Sequence, residues 1–178
     1  MINGETVEIK KDDFACQFYF KSKITESEPT VHYTIFFDFQ CEKSSAFFSK
    51  YQKLLKKAVE TNKATVRLVP LVWLEPEYKG YLYSIRAAHA ARVVLRYQPE
   101  LLWLYISVLL DKRALPGVEK NYNPDKGSDN NLASYSEKLG AKDYVSKQIV
   151  SIRPSAKFIR NMYSQSNILR LQKYIIDT

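Results

Sequence analysis

Three observations predict an α/β fold. An apolar strand runs straight into a helix, a second strand follows that helix closely, and the chain beyond is helical for most of its length. The strand is Val31–Phe39, apolar on both faces towards its end, as expected of a central strand in a covered sheet. The helix spans Ser45–Val59, with Phe47, Phe48, Tyr51, Leu54, Leu55, Ala58 and Val59 on one stripe predicted to be core. Lys50, Lys53, Lys56 and Lys57 lie off that stripe as a solvated face. Asn62-Lys63 punctuates the helix end, and Ala64–Val69 is the second strand. Strand, helix and strand with short connections form a βαβ unit, which implies a right-handed parallel crossover.

On either side of that unit the pattern is simpler. Residues 1–13 are polar and charged and are expected to be a tail, and Phe14–Phe20 has the aromatic content of a first strand. Lys21–Thr30 is a polar connection. After Ala64–Val69 comes an extended apolar segment, Pro70–Glu77, and then a connection to Tyr83. Ser84 is placed to cap a helix over Ile85–Arg96, whose alanines permit close packing. His89 within it is expected to be a packing or surface residue. Pro99 opens the next helix, with Leu101, Leu102, Tyr105, Val108 and Leu109 as its core stripe. Ala114–Asn130, rich in Pro, Gly, Asn and Asp, is predicted to be a long surface loop. Short helices are expected over Asn131–Leu139, closed by Gly140, and over Lys142–Ile152. Pro154 opens a last one, and Ile168–Ile176, which alternates in part, is predicted to be a closing strand.

Composition narrows the function classes. At 178 residues with 46% hydrophobic and 26% charged content, the chain can build one substantial core. Its five glycines form neither GxGxxG nor GxxxxGK[ST], which excludes most glycine-dependent phosphate cradles. The net charge of +8 favours contact with anionic surfaces, but the basic residues are scattered and no specific nucleic-acid site is expected. No apolar stretch is long enough to span a membrane, and Met1–Glu5 lacks the apolar region of a signal peptide. A cytoplasmic protein and one whose leader has been removed both fit that reading.

The two cysteines, Cys16 and Cys41, are too few for a disulfide framework, and with His32 and His89 they match no zinc spacing. No metal or cofactor is expected. Cys16 is read as a small buried core residue, with a partnership to Cys41 as the lesser alternative. Cys41 stands at the strand-to-helix junction, where backbone N–H groups and the helix dipole favour a thiolate. Asp38, just before the turn, is either solvated or a buried carboxylate that influences the thiol. Ser44 occupies the position three residues on, where a dithiol site would need its second cysteine.

Phe36-Phe37-Asp38-Phe39-Gln40-Cys41 resembles the passage into the active site of DsbA-like proteins, which are thioredoxin-fold thiol–disulfide oxidoreductases. In that family an acidic residue, an aromatic and often a glutamine precede a CPxC motif. Phe47-Phe48, Leu68-Val69-Pro70-Leu71 and Tyr83–Ala91 are similar to later segments of the family, in the same order. The resemblance runs from about Val31 to Ile152. It implies a thioredoxin-like fold with an inserted α-helical domain: residues 1–30 a tail and first strand, 31–83 and 153–178 the thioredoxin-like domain, and 84–152 the insertion. It also implies an extracytoplasmic location, in the cell envelope or secreted. Cys41 aligns with the family's nucleophile. Glu42 stands where proline is usual, Lys43 at the variable position and Ser44 in place of the resolving cysteine. The family's late threonine and cis-proline have no counterpart in Ser164-Gln165-Ser166-Asn167.

Cys41 and Ser44 cannot form a disulfide, so dithiol oxidase chemistry is not expected. The first reading is a DsbA-like module that binds a polypeptide around Cys41. An alternative is a monothiol oxidoreductase whose Cys41 forms mixed disulfides with a polypeptide or a small thiol. In such chemistry Lys43 favours a thiolate and Glu42 opposes it. A second alternative is a binder of anionic polymers through the basic surface.

Overall fold

The computed structural model describes residues 5–7, 16–22, 31–74, 82–117 and 123–176, without the side chains of residues 5–7 and 168–176. The elements in chain order are β1 (Glu5–Val7), β2 (Phe18–Ser22), β3 (Val31–Asp38), α1 (Glu42–Glu60), β4 (Ala64–Leu71), α2 (Tyr83–Tyr97), a 3₁₀ turn (Pro99–Leu101), α3 (Leu102–Leu109), α4 (Asp129–Lys138), α5 (Asp143–Ser151) and α6 (Ala156–Ile176). The strands form one sheet in the order β1-β2-β4-β3. β3 and β4 are parallel, from Val31 opposite Ala64 to Asp38 opposite Leu71, so the βαβ unit is present. β2 joins β4 antiparallel, with Phe18 opposite Leu68 and Phe20 opposite Val66, and β1 joins β2 antiparallel.

Strand register fixes the two faces. Phe37 of β3 meets Phe48 of α1, whereas its neighbour Asp38 bonds to Ser84 of α2. Adjacent strand residues point to opposite faces, so α1 and α2 lie on opposite sides of the sheet. α3 shares the α1 side, because its Trp103 packs edge-on against Phe20 at 4.8 Å, and Phe20 is on the same face as Phe37 through the ladder. One continuous core joins these layers, from Phe18 and Phe20 through Phe48, Ile85, Leu102 and Ile106 to Leu132, Val145 and Phe158. α6 reaches the sheet at the end of β4, where Gln165 donates to the Pro70 carbonyl and the Ser166 hydroxyl accepts from the Val72 N–H.

Five expectations need correction. The stretch predicted to be a tail contains β1, which pairs with the edge of β2. β3 is not central: among the described residues it pairs with β4 alone, and its first half is exposed. Central position belongs to β4, the more fully buried strand. The α1 stripe divides, with Phe48, Leu55 and Val59 buried but Phe47 and Leu54 exposed, because no described element covers the outer flank of the helix. Ser84 does not cap α2, since its hydroxyl is committed to Asp38. The predicted closing strand Ile168–Ile176 is the second half of α6. Neither proline nor glycine occurs after Pro154, and Phe158, Met162 and Ser166 are buried one turn apart, so nothing stops the helix. The Ser164–Asn167 stretch predicted to precede the strand is therefore helical as well.

Other readings hold. Cys16 is buried just ahead of β2, while Phe14 and Ala15 lie outside the described residues. The helix predicted to close at Gly140 does so with that glycine at φ 85°, a left-handed backbone suited to it. Ser128 caps this helix by accepting from the Asn131 N–H, so α4 begins two residues earlier than predicted. His89 is a packing residue, with its ring against Phe158 and one ring nitrogen 3.1 Å from the Ile152 carbonyl.

Candidate functional site

β3 ends, turns and becomes α1 within four residues, and Cys41 is the junction. Its N–H donates to the Asp38 carbonyl at 3.0 Å, which closes the turn. Its own carbonyl accepts the Ser45 N–H, the first bond of the helix. Cys41 is thus the N-cap of α1 in extended conformation, with a side chain that makes no capping bond and is partly exposed. Glu42 and Lys43 are both exposed on the first turn. Glu42 complements the positive end of the helix dipole.

Ser44 is committed to the scaffold. Its Oγ accepts the Asp38 N–H at 3.3 Å and so ties the first turn of α1 back to the end of β3. The Asp38 side chain is the hub beneath. Its Oδ1 accepts from the Ser84 hydroxyl at 2.6 Å and from the Gln40 N–H at 2.8 Å, and its Oδ2 from the Leu74 N–H at 3.0 Å. These bonds hold together the end of β3, the turn, the segment after β4 and the start of α2. Leu82, just ahead of α2, is in the left-handed region at φ 37°, a strained placement for a leucine that precedes the Ser84 contact.

Burial pushes the Asp38 carboxyl above its ordinary 3.8, outweighing the bonds from Ser84, Gln40, Leu74 and Trp73 that pull it down. With the folded value raised, the group's contribution to stability is complete below pH 3.8 and is lost as pH rises through the folded value. Urea midpoints for the parent and for Asp38→Asn should therefore diverge with pH. The parent is relatively best at the acid end, and the difference moves towards the variant between pH 3.8 and the folded value and is level above it. A difference that stays constant with pH would show that Asp38 does not titrate in this way.

The sequence-predicted residues are thus placed as follows. Cys41, Glu42, Lys43 and Ser44 share the first turn of one helix, and Asp38 lies buried directly under it. The Cys16 thiol is 3.9 Å from the Ala88 carbonyl of α2. Burial pushes that thiol up to about 12, so it is an inert core residue. Both cysteines are free. Sequence reasoning missed two contributors. Ser84 reads equally well as a cap or as a partner for a distant carboxylate, and no pattern separates the two. Gln40 is buried beside Cys41, and its side-chain amide has no hydrogen-bond partner among the described residues. Beside Glu42 a cavity of about 340 Å³ opens between α1 and α3, lined by Ser45, Ser49, Gln52, Ser107 and Asp111 among others. No group of three His, Cys, Asp or Glu side chains is placed to hold a metal ion among the described residues, and no described helix is long and apolar enough to cross a membrane.

No family model matches the chain, and no curated protein matches it. Solved structures do. MdbA, a thiol-disulfide oxidoreductase from Corynebacterium diphtheriae, superposes with a TM-score of 0.71 at 21% identity over 96% of this chain and 79% of its own. The reduced disulfide bond oxidoreductase DsbG from Mycobacterium tuberculosis matches with a TM-score of 0.65 at 18% identity, over 88% of this chain and 73% of its own. DsbA from the same organism, in reduced form, gives 0.61 at 18% identity, over 78% and 66%. The α/β architecture expected from the sequence is therefore present, and the chain has the DsbA-like thioredoxin fold of the thiol-disulfide oxidoreductases.

Proposed function

We propose that this chain is a DsbA-like protein without dithiol chemistry that binds polypeptides, with Cys41 as the single thiol presented to the partner. The observation that carries the reading is Ser44. A dithiol oxidase must hold a disulfide of its own to donate, and the residue one turn after Cys41 is a hydroxyl bonded to the Asp38 N–H. Cys16 does not replace it, being buried against α2 with its thiol pushed up to about 12. The DsbA-like scaffold supports a polypeptide as the partner class and an extracytoplasmic setting, in the cell envelope or secreted.

The exposure of Cys41 favours a second reading, a monothiol oxidoreductase. The Cys41 thiolate would attack a partner disulfide, forming one mixed disulfide and releasing one thiolate, and an external thiol would be required to resolve the adduct.

The two readings separate in one set of measurements. A small alkylating reagent should modify one thiol per native chain, at Cys41, and reach Cys16 only on unfolding. A reduced, carboxymethylated polypeptide, which has no thiol to exchange, should bind saturably, and insulin disulfides should not be reduced above the dithiothreitol background. Glutathione adducts trapped on Cys41, with no binding of the thiol-free polypeptide, would replace the binding module with the monothiol enzyme. Robust insulin turnover would overturn both.

A further inference from the structure

The cavity between α1 and α3 plays no part in the chemistry described above. It holds about 340 Å³. One wall is a face of α1, where Glu42, Ser45, Ala46, Ser49 and Gln52 recur at helical spacing. The other is the end of α3 and the turn after it, with Ser107, Leu110, Asp111 and Lys112. Serines and a glutamine thus stand where packed helices ordinarily set apolar side chains against each other.

Ser45 carries the most information. It is 4% exposed, and its hydroxyl makes no hydrogen bond among the described residues. The Cys41 carbonyl one turn back takes the Ser45 N–H and not the hydroxyl. Leaving a buried hydroxyl unbonded is costly, and a ligand atom in the cavity removes the cost. Ser49 and Gln52 are likewise without a hydrogen bond among the described residues. On the facing wall Ser107 donates to the Trp103 carbonyl, and Asp111 is taken up by Arg113. The α1 wall therefore supplies the unused donors and acceptors. The lining also carries both signs of charge, in exposed Glu42 and exposed Lys112, neither in an ion pair among the described residues. Cys41 directly precedes Glu42 and is one turn ahead of Ser45, and residues four apart are neighbours along a helix.

We propose that this cavity binds the zwitterionic body of a small peptide thiol and brings its sulfur to Cys41. Ser45, Ser49 and Gln52 bond the peptide groups, Lys112 meets a carboxylate and Glu42 an ammonium. The volume is at the small end of ligand pockets, which suits one half of a peptide disulfide and not a folded segment. In the exchange the Cys41 thiolate attacks one sulfur of that disulfide. One S–S bond breaks, one forms between Cys41 and the held peptide, and the other peptide leaves as a thiolate that takes a proton from water. The proposal names the small thiol of the monothiol reading and rests on that reading.

The test titrates the whole chain with S-methylglutathione, which keeps the peptide body and has no thiol, and follows amide chemical shifts. Saturable shifts should be confined to residues 41–52 and 107–112. Ser45→Ala should weaken binding by about three- to tenfold, and Lys112→Glu by at least about threefold. Ser49→Trp, which fills the cavity from an exposed position, should abolish binding while the circular dichroism spectrum stays that of the parent. Adduct formation on Cys41 from glutathione disulfide, read by mass, should slow in the same order. Alkylation by iodoacetamide, which needs no cavity, should report whether the thiol itself has changed. Shifts centred elsewhere would overturn the proposal. Adducts that form equally fast in the parent and in Ser49→Trp would sink the cavity alone and leave the monothiol reading standing. Binding of S-methylglutathione without any adduct from glutathione disulfide would sink the monothiol reading, and the delivery of a sulfur to Cys41 with it.

Discussion

Phe48→Ala should destabilise the chain by about 3–5 kcal/mol, whereas Phe47→Ala, one residue away, should cost no more than about 1 kcal/mol. Phe48 is 2% exposed and lies between Phe37 of β3 and the body of α1, with ring centroids 5.5 Å apart. Removing it leaves a cavity under the helix that carries Cys41 on its N-terminus. Phe47 is 38% exposed, and its ring rests on Tyr51 over the outer flank. For a chain of this length the Phe48 loss corresponds to a fall in melting temperature of roughly 6–20 °C. Differential scanning calorimetry of the two variants checks the prediction. Comparable losses at both positions would mean that the rotation of α1 on the sheet is wrong.

That pair also shows what hydrophobic pattern can and cannot tell. Phe47 and Phe48 fall on one apolar stripe in the sequence, and the period correctly announces a helix. Period says which residues are apolar, but not how wide a layer exists to cover them. Leu54 is exposed because α1 lies over β4 and β2, leaving its flank beyond the sheet edge without a neighbour among the described residues. β3 escapes sequence reading for a related reason. Its apolar end reads as that of a central strand, but strand order depends on partners distant in sequence, which composition does not encode. In the second half of α6, short-range alternation suggests a strand, yet the lack of any breaker after Pro154 outweighs it. The βαβ unit, α2 to α5 and Cys41 at the junction are legible, since each rests on local period, caps and turn residues. The Asp38 hub is legible only as an oddity, a carboxylate in an apolar run. Its partners Ser84 and Leu74 come from segments 46 and 36 residues away.

On the reading proposed above, Ser44→Cys should give the chain disulfide turnover. Position 44 is one helical turn from Cys41, on the same end of α1, where residues three apart are neighbours. Oxidation of the variant by glutathione disulfide, which is reduced to two glutathione thiols, should remove two of its three thiols, joining Cys41 to the introduced cysteine and leaving Cys16 reduced in the core. That disulfide can be donated. A substrate dithiol attacks it, the substrate leaves oxidised, and Cys41 and the introduced cysteine return as thiols with the electrons balanced. The substitution weakens the contact to the Asp38 N–H, at a cost of about 1 kcal/mol, which the fold should tolerate. Oxidative refolding of a reduced substrate protein should then run at least about tenfold faster with the variant than with the parent, because a bonded second thiol competes with solution thiols at high effective concentration. Turnover by the parent itself would show that Ser44 never blocked the chemistry. A variant that forms the bond yet oxidises nothing would place the loss elsewhere than at position 44.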